Sequence, residues 1–327
     1  MFDNKSILVT GGTGSFGKTF IQNLLGNNNI EKVVVYSRDE LKQFEMQQSL
    51  DDKRVKYILG DIRDKERLFQ SFHDIDIVVH AAAMKQVPAS ENNPMEAIKT
   101  NIMGAENIIN VAIDHDIEKV IALSTDKASN PANLYGATKL CSDKLFTAAN
   151  TLAEYSKTRF SVVRYGNVIN SRGSIVPLFR DQKLSGTITI TDNKMTRFWI
   201  TLDQGVNFVN QCIERMHGGE IFIPKIPSMK IVDVAAAIAP EAKIKIIGVR
   251  PGEKIHEVMI TEDDAHTTIE FDDYYIIEPQ NGIWDRDKHF KKSQYRNVPD
   301  NFSYSSDNNQ DWLSVEEFRA MAEVNTK

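Results

Sequence analysis

The stretch Ser6-Ile-Leu-Val-Thr10-Gly-Gly-Thr-Gly14-Ser-Phe-Gly17 decides the fold of this chain. Its first five residues form a short apolar run, which predicts a buried β-strand that leads into the glycines. Glycines permit a tight turn and a close approach of the backbone to a pyrophosphate, and a helix N-terminus offers free N–H groups. Strand, glycine turn and helix in this order predict a dinucleotide-binding unit. The helix is predicted from apolar side chains at helical spacing, which are Phe16, Phe20, Ile21, Leu24 and Leu25.

Apolar runs continue to alternate with helical patterns along the first half of the chain. Because strands that alternate with helices build parallel sheets, we predict a doubly wound α/β fold of Rossmann type. From about Asn167 the elements become shorter. We therefore predict a nucleotide-binding domain over residues 1–167, to which later segments return, a smaller α/β substrate-binding unit over 168–280, and a C-terminal extension over 281–327. The further predicted strands of the first domain are Lys32–Tyr36, Arg54–Leu59, Asp76–His80, Lys119–Leu123 and Arg159–Arg164.

Local patterns also predict where some helices begin. A long amphipathic helix is expected after Pro94, because apolar side chains recur at helical spacing from Ile98 to Ile113. Two capping boxes predict helix starts in the second half of the chain, Thr201-x-x-Gln204 and Ser314-x-x-Glu317.

Composition narrows the class of protein. The 327 residues carry a net charge of −6, which argues against a protein that binds a nucleic acid backbone. Two cysteines are too few for a disulfide framework, and Cys141, in a predicted helix, is expected to be a buried reduced thiol. No basic and apolar leader precedes Ser6, and no apolar run reaches the roughly 18 residues that span a bilayer. We therefore expect a cytoplasmic protein without a membrane partner.

The second predicted strand ends in Ser37-Arg38-Asp-Glu40, where a dinucleotide-binding unit meets the adenosine ribose. An acidic residue at this place accepts the ribose 2′-hydroxyl, whereas an arginine accommodates a 2′-phosphate. Arg38 therefore predicts NADP rather than NAD. Ser37-x-x-Glu40 also matches a capping box for the next helix. The two interpretations can coexist, because a cap does not use Arg38.

Tyr135 and Lys139 are four residues apart in a predicted helix, so that their side chains lie on one face. A cation beside a phenol favours the phenolate, and we therefore predict that Lys139 lowers the pKa of Tyr135. Asp126 and Lys127, at the end of the preceding strand, would add a second acid/base pair. The alternatives are a solvated tyrosine and lysine on a surface helix, an Asp126 that only caps a turn, and a Lys127 that only faces solvent.

Several other polar residues suit a ligand that carries a diphosphate and a sugar. Lys85 follows the alanine run 81–83, where a core residue would be expected, and Asn167 follows a strand. Arg197 and Arg250 are planar charged groups that suit a diphosphate, with Glu253 placed for a ribose, although both arginines could be ordinary surface residues. The histidines show no spacing typical of metal ligands, so no metal site is predicted.

The motifs together resemble a known family. Thr10–Gly17, His80-Ala-Ala-Ala, Ser124-Thr and the Tyr135/Lys139 pair are similar to extended short-chain dehydrogenases/reductases. Further stretches resemble the 5-inverting UDP-N-acetylglucosamine 4,6-dehydratases of the pseudaminic acid pathway, and the resemblance covers roughly residues 4–280. These stretches are Tyr36–Lys42, Ala81–Lys85, Leu123–Pro131, Met195–Ile200 and Arg250–Glu257.

The resemblance implies a redox-neutral lyase. Tyr135 would take the proton of the C4 hydroxyl while hydride passes to NADP⁺, and Thr125 would hydrogen-bond the C4 oxygen. The C5 proton is then removed, the C6 hydroxyl leaves as water, hydride returns to C6, and C5 is protonated on the opposite face. We assign the C5 chemistry to Lys127 and the protonation at C6 to Asp126. The family also implies a homo-oligomer.

The predicted site residues fall into three groups. The catalytic residues are Thr125, Asp126, Lys127, Tyr135 and Lys139. The cofactor-binding residues are Gly11, Thr13, Gly14, Ser15, Phe16, Gly17, Ser37, Arg38, Asp39, Glu40, Lys42, Asp61, Ile62, Ala81, Ala82, Ala83, Lys85, Ser124, Tyr135 and Lys139. The residues that contact the substrate, UDP-N-acetylglucosamine, are Lys85, Thr125, Asn167, Val168, Arg197, Arg250 and Glu253.

Three other functions are compatible with these motifs. A UDP-N-acetylhexosamine 4-epimerase would use the same tyrosine, lysine and cofactor, but it does not need the pair Asp126–Lys127. A 5-retaining dehydratase is closer, although related retaining enzymes resemble this chain with an Asp-Glu pair at that place. The third is a non-catalytic NADP-binding scaffold on the same fold.

Overall fold

The computed structural model describes residues 2–27, 29–280 and 284–324. Its strands are β1 Ser6–Thr10, β2 Lys32–Ser37, β3 Val55–Leu59, β4 Ile77–His80, β5 Lys119–Thr125, β6 Arg159–Tyr165, β7 Asn167–Val168, β8 Thr187–Ile190, β9 Thr196–Ile200, β10 Ile221–Pro224, β11 Ser228–Lys230, β12 Lys243–Ile246, β13 Val258–Ile260, β14 Thr268–Glu270, β15 Tyr274–Ile277, β16 Arg296–Asn297 and β17 Tyr304–Ser305. Its α-helices are α1 Ser15–Asn27, α2 Glu40–Ser49, α3 Lys65–Ser71, α4 Val87–Asn92, α5 Pro94–Ile98, α6 Gly104–Asp114, α7 Leu134–Leu152, α8 Ile175–Lys183, α9 Leu202–Arg215, α10 Ile231–Ile238, α11 Arg286–His289 and α12 Val315–Val324.

A ten-stranded sheet organises the fold, in the order β16-β14-β15-β10-β6-β5-β4-β1-β2-β3. The strands from β10 to β3 in this order run parallel. The strands β15, β14 and β16 extend it as antiparallel neighbours. This confirms the predicted doubly wound α/β fold. Because parallel strands end at one edge, the residues that follow β1, β2, β4, β5 and β6 meet there.

A second, smaller core lies outside this sheet. Trp199 of β9 is fully buried and packs edge-on against Phe318 of α12, with ring centroids 4.9 Å apart. Side chains of α8 and α10 complete the cluster. Full burial of a large apolar side chain stabilises a fold by about 1.5–3 kcal/mol, so this cluster joins the later segments into a unit. The domain boundaries at 167 and 280 stay a prediction, because β10 and β15 return to the large sheet.

The predicted long helix after Pro94 is interrupted. A π-helical turn, Lys99–Met103, separates α5 from α6. The side chain of Asn101 explains the interruption, since its Oδ1 accepts from Met84 N at 2.8 Å and its Nδ2 donates to Met84 O at 2.9 Å. The amide also donates to Thr138 Oγ1 at 3.0 Å. A buried amide therefore ties the turn to the loop after β4 and to α7.

Two local predictions are wrong and two are confirmed. Helix α2 is capped by Asp39, whose Oδ1 accepts from Lys42 N at 3.0 Å, whereas Ser37 Oγ accepts from Gln43. Cys141 is exposed rather than buried, because it lies on the outer face of α7. The capping boxes at the start of α9 and of α12 form as predicted.

Across the described residues, no helix combines the length and the apolarity needed to cross a membrane.

Candidate active site

A cavity of about 990 Å³ opens at the edge of the sheet where the parallel strands end. It is lined by the glycine turn after β1, by the ends of β2, β4, β5 and β6, and by α7. Most of the predicted site residues line it together, which are Gly11, Thr13, Gly14, Ser15, Phe16, Gly17, Ser37, Arg38, Asp39, Lys42, Ile62, Ala81, Ala82, Ala83, Lys85, Ser124, Thr125, Asp126, Lys127, Tyr135, Lys139, Asn167 and Val168.

The glycine turn requires glycine for two physical reasons. Gly11 has a φ of +66°, and a Cβ added there would lie 2.9 Å from Ala82 N. A Cβ at Gly17 would lie 2.6 Å from the Cα of Gly12, so the first turn of α1 packs directly on the loop. The backbone of the turn therefore stays uncovered beneath the cavity. A nucleotide diphosphate fits such a cradle at a helix N-terminus.

At the far end of the cavity, Arg38 follows β2. Its side chain is 58% exposed, and its Nη1 lies 3.4 Å from Asp61 Oδ2. Asp61 itself does not line the cavity, and its carboxylate also pairs with Arg63 at 2.7 Å. Glu40, the first residue of α2, does not line it either. The contacts of Asp61 and Glu40 with a cofactor stay predictions.

The 3₁₀ turn Asp126–Ala128 follows β5 directly, and we call it the catalytic turn because it carries the predicted catalytic residues Asp126 and Lys127. Its cap is Thr125, whose Oγ1 accepts from Lys127 N at 3.4 Å, so Asp126 does not serve only as a cap. Asp126 is fully buried, and its Oδ1 accepts from Thr125 Oγ1 at 2.9 Å and from Lys127 Nζ at 3.0 Å. The Lys127 side chain is 25% exposed and lines the cavity. The turn therefore presents a hydrogen-bonded carboxylate and amine to a ligand.

Tyr135 and Lys139 lie in the first turns of α7, as the sequence predicts, but they interact differently. Burial raises the pKa of Tyr135 to about 12, while the Lys127 ammonium and a hydrogen bond with Thr125 oppose the rise. Lys139 instead donates to Leu123 O at 2.7 Å. The Lys127 ammonium therefore favours the phenolate in this structure, but burial outweighs it, and the prediction of a lowered pKa for Tyr135 is wrong.

A buried ion pair that the sequence did not predict lies behind the cavity. Asp143 of α7 accepts from Ser124 Oγ at 2.7 Å and from Arg164 Nη2 at 3.2 Å. Both charged side chains are at most 3% exposed. Arg164 also donates to Met259 O at 2.8 Å and so links β6 to β13. The pair is fixed by residues distant in the chain, and local spacing gives no signal of it.

Replacement of Arg164 by methionine should destabilise the fold by about 3–5 kcal/mol, because a buried carboxylate loses its countercharge. Urea unfolding of the purified protein measures this change. Arg159→Met is the matched control, since this exposed arginine of the same strand donates to nearby carbonyls and its loss should cost less than about 0.5 kcal/mol. Equal stability of the two variants would contradict the importance of the pair.

Three residues predicted to contact the substrate lie outside the cavity lining. Arg197 is buried and donates to Ile255 O and to Lys254 O, both at 3.0 Å. Arg250 is 64% exposed and pairs with Glu253, with Nε 3.0 Å from Oε2. Arg250 and Glu253 lie in the segment before β13, which Arg197 contacts, and the contact of all three with a substrate stays a prediction.

The loop after β7 contributes cavity residues that the sequence analysis missed. Arg172 lines the cavity, its backbone N donates to Ser15 Oγ at 3.4 Å, and its carbonyl accepts from Lys85 Nζ at 3.0 Å. Gly173 follows with a φ of +73°. Other lining residues without a sequence signal are Gln86, Thr100, Tyr165 and Leu202.

His80 is the last residue of β4, directly before the alanine run, and its role is structural. Its Nδ1 lies 2.8 Å from Thr10 Oγ1, and burial lowers its pKa to about 3, so the ring is neutral. Within the described residues, no cluster of three or more histidine, cysteine or acidic side chains could hold a metal ion.

A parallel sheet of this order, a glycine turn beneath the cavity, and a tyrosine and lysine one helical turn apart define an extended short-chain dehydrogenase/reductase. The chain belongs to the family described as polysaccharide biosynthesis protein, whose model matches residues 7–279.

Sequence identity to two relatives compares the chain with individual members of that class. It is 57% identical over 323 residues to a protein of Campylobacter jejuni subsp. jejuni serotype O:23/36 (strain 81-176) named UDP-N-acetylglucosamine 4,6-dehydratase (inverting), with 97% of each chain covered. It is 40% identical over 300 residues to a protein of Rickettsia canadensis (strain McKiel) named UDP-glucose 4-epimerase, with 89% of this chain and 87% of the relative covered. The family resemblance found in the motifs is confirmed.

A solved structure agrees over nearly the whole chain. Pen from Bacillus thuringiensis superposes with a TM-score of 0.91 at 37% identity, covering 99% of this chain and 98% of that chain. The similarity includes the segments after residue 280, where the sequence was least informative.

Proposed function

We propose that the chain is a redox-neutral hydro-lyase that dehydrates UDP-N-acetylglucosamine at C4/C6 and inverts C5. The product is UDP-2-acetamido-2,6-dideoxy-β-L-arabino-hex-4-ulose. The observation that carries the proposal is the hydrogen-bonded pair Asp126–Lys127, which shares one cavity with Tyr135 and Lys139. The relative at 57% identity, which bears this activity in its name, supports the substrate and the stereochemistry.

Tyr135 is the proposed base that takes the proton from the C4 hydroxyl. The Lys127 ammonium and the Thr125 hydroxyl favour its phenolate, and the same hydroxyl can hold the C4 oxygen. Lys139, whose ammonium donates to Leu123 O, lines the same cavity and is a proposed contact of the cofactor. When bound, NADP⁺ would accept the C4 hydride and return it to C6.

Asp126 and Lys127 serve the elimination of water from C5 and C6. Once C4 is a ketone, the C5 proton is acidic, and one member of the pair can move it while the other protonates the departing C6 hydroxyl. We assign the C6 step to Asp126 and the C5 steps to Lys127. Lys127 Nζ donates to Asp126 Oδ1 at 3.0 Å, so a proton that passes along this hydrogen bond leaves an amine to act at C5 and a carboxylic acid to act at C6.

Arg38 supports NADP as the cofactor. Its guanidinium lines the cavity together with Lys42, at the place where a dinucleotide-binding fold meets the adenosine ribose. A planar arginine can bind a 2′-phosphate through two parallel hydrogen bonds. The glycine cradle beneath the same cavity suits the diphosphate of such a cofactor.

Replacement of Arg38 by alanine should weaken NADP⁺ binding about 10- to 100-fold, because hydrogen bonds to a charged group contribute about 1.5–3 kcal/mol. Binding of NAD⁺ should change little, and calorimetry of both cofactors measures the difference. Arg63→Ala is the control, since Arg63 also pairs with Asp61 but does not line the cavity. Equal loss of NADP⁺ and NAD⁺ affinity would argue against a phosphate contact.

A 4-epimerase is the second candidate, and the relative at 40% identity favours it. An epimerase has no use for the Asp126–Lys127 pair. Incubation with UDP-N-acetylglucosamine and mass spectrometry separates the two, because a dehydratase yields a product lighter by one water. A product of unchanged mass would establish the epimerase, and binding without turnover would establish the scaffold. The configuration at C5 separates an inverting from a retaining dehydratase.

A further inference from the structure

Glu257 contacts the catalytic turn from a distant part of the chain. It directly precedes β13 and is only 2% exposed. Its Oε1 lies 3.3 Å from Lys127 Nζ, on an ammonium that also lies 3.0 Å from Asp126 Oδ1. Lys127 is therefore held between two buried carboxylates at the edge of the cavity.

Glu257 is itself fixed on several sides. Its backbone N donates to Ser306 Oγ at 2.9 Å, and its carbonyl accepts from Ser306 N at 2.8 Å. The Nε of Arg197 and the Nζ of Lys254 lie 3.7 and 3.6 Å from its carboxylate. Within the described residues, its Oε2 is buried without a hydrogen-bond partner. Glu257 is therefore held in place by its backbone hydrogen bonds and by the two neighbouring cations.

The segment Arg250–Glu257 contacts residues next to the catalytic ones at two further points. Lys254 Nζ donates to Ser129 O, just after the catalytic turn, at 2.7 Å. Gly252 O accepts from Asn133 Nδ2 at 2.8 Å, and Asn133 is the cap of the helix that carries Tyr135. The segment thus fixes both the turn and the start of α7.

The charged and titratable groups that face Lys127 come from four elements. Asp126 belongs to its own turn, Tyr135 to α7, Arg197 to β9, and Glu257 and Lys254 to the segment before β13. Two carboxylates and two further cations therefore surround the Lys127 ammonium. Removal of the Glu257 charge would leave Lys127 beside Arg197 and Lys254 with Asp126 as its remaining carboxylate.

We propose that Glu257 is a positioning residue of the dehydration site, which fixes Lys127 against Asp126 and sets the charge that Lys127 carries when the sugar arrives. The proposal rests on the proposed function of the Asp126–Lys127 pair. The carboxylates of Asp126 and Glu257 outweigh the effect of burial and raise the pKa of Lys127. The lysine in turn helps to lower the pKa of Glu257 against its burial.

The test compares the pH dependence of kcat in the wild-type enzyme and in Glu257→Gln, with UDP-N-acetylglucosamine as the substrate. The glutamine keeps the shape of the side chain and removes its charge. The profile should move to lower pH by about 1 to 3 units, the effect of one opposite charge close to a titrating group. KM should change little. Glu257→Asp keeps the charge and should retain most of the wild-type profile.

Glu220→Gln is the matched control, because Glu220 is equally buried and bonds Ser161 and Gly218 away from the cavity. This variant should lose stability without a shift of the profile. If Glu257→Gln loses activity or stability but keeps the wild-type profile, its role is only structural and the inference is wrong. Failure of the proposed function is a separate result, since the wild-type enzyme would then release no dehydrated sugar.

Discussion

Tyr135→Phe should lower turnover of UDP-N-acetylglucosamine by about 10² to 10⁴-fold while cofactor binding persists. The phenol is the proposed base at C4, and a positioned acid/base group contributes a factor of this size. Phenylalanine retains the buried ring, so the fold and the cavity should be kept. Product formation is measured by chromatography, and the bound cofactor by its absorbance.

Tyr165→Phe is the matched control for this experiment. Tyr165 ends β6, is as buried as Tyr135 and lines the same cavity, but no proton transfer is assigned to it. Loss of its hydroxyl should leave most of the turnover intact. If Tyr135→Phe is as active as this control, Tyr135 is not the base at C4.

Asp126→Asn should block the loss of water but leave the oxidation at C4. The amide can still accept from Thr125 and Lys127, so the turn is kept, but it cannot protonate the C6 hydroxyl. We expect the dehydrated product to fall by about 10² to 10⁴-fold. The reduced nicotinamide should then accumulate after mixing with substrate, which stopped-flow absorbance detects.

Each of the two variants serves as the experimental control for the other. Tyr135→Phe should give no reduced nicotinamide, because the first proton transfer is missing, whereas Asp126→Asn should give it without dehydrated sugar. If Asp126→Asn forms neither, Asp126 is needed already at C4. If it forms product at the wild-type rate, another group protonates the C6 hydroxyl.

The parts of the site that follow from local sequence were predicted. The glycine turn after β1 depends on residues adjacent in the chain, and Arg38 follows directly from the end of β2. Helical spacing placed Tyr135 and Lys139 on one face of α7. Because parallel strands end at one edge of a sheet, these residues lie close together, and they line one cavity.

The parts that depend on contacts between distant segments were not predicted. Residue spacing cannot show that the Lys139 ammonium donates to Leu123 O, nor that the Lys127 ammonium favours the phenolate of Tyr135. Nor does it reveal Glu257 against Lys127, although Glu257 lies in a motif that the sequence analysis recognised. Arg197 was assigned to a diphosphate from its chemistry alone, whereas its guanidinium donates to backbone carbonyls.

The local errors have equally specific causes. Ser37 and Asp39 both precede α2, and the helix begins late enough for Asp39 to be its cap. The apolar pattern after Pro94 is compatible with an unbroken helix, and only the tertiary partners of Asn101 explain the π-helical turn.

The most direct test of the central claim is NMR of the reaction with UDP-N-acetylglucosamine in deuterium oxide. The proposed function predicts a 4-keto-6-deoxy sugar with inverted configuration at C5 and with deuterium at C5, because that proton is removed and replaced. An isomer that retains all its oxygen atoms, or a 4-keto-6-deoxy sugar with the original C5 configuration, would contradict it.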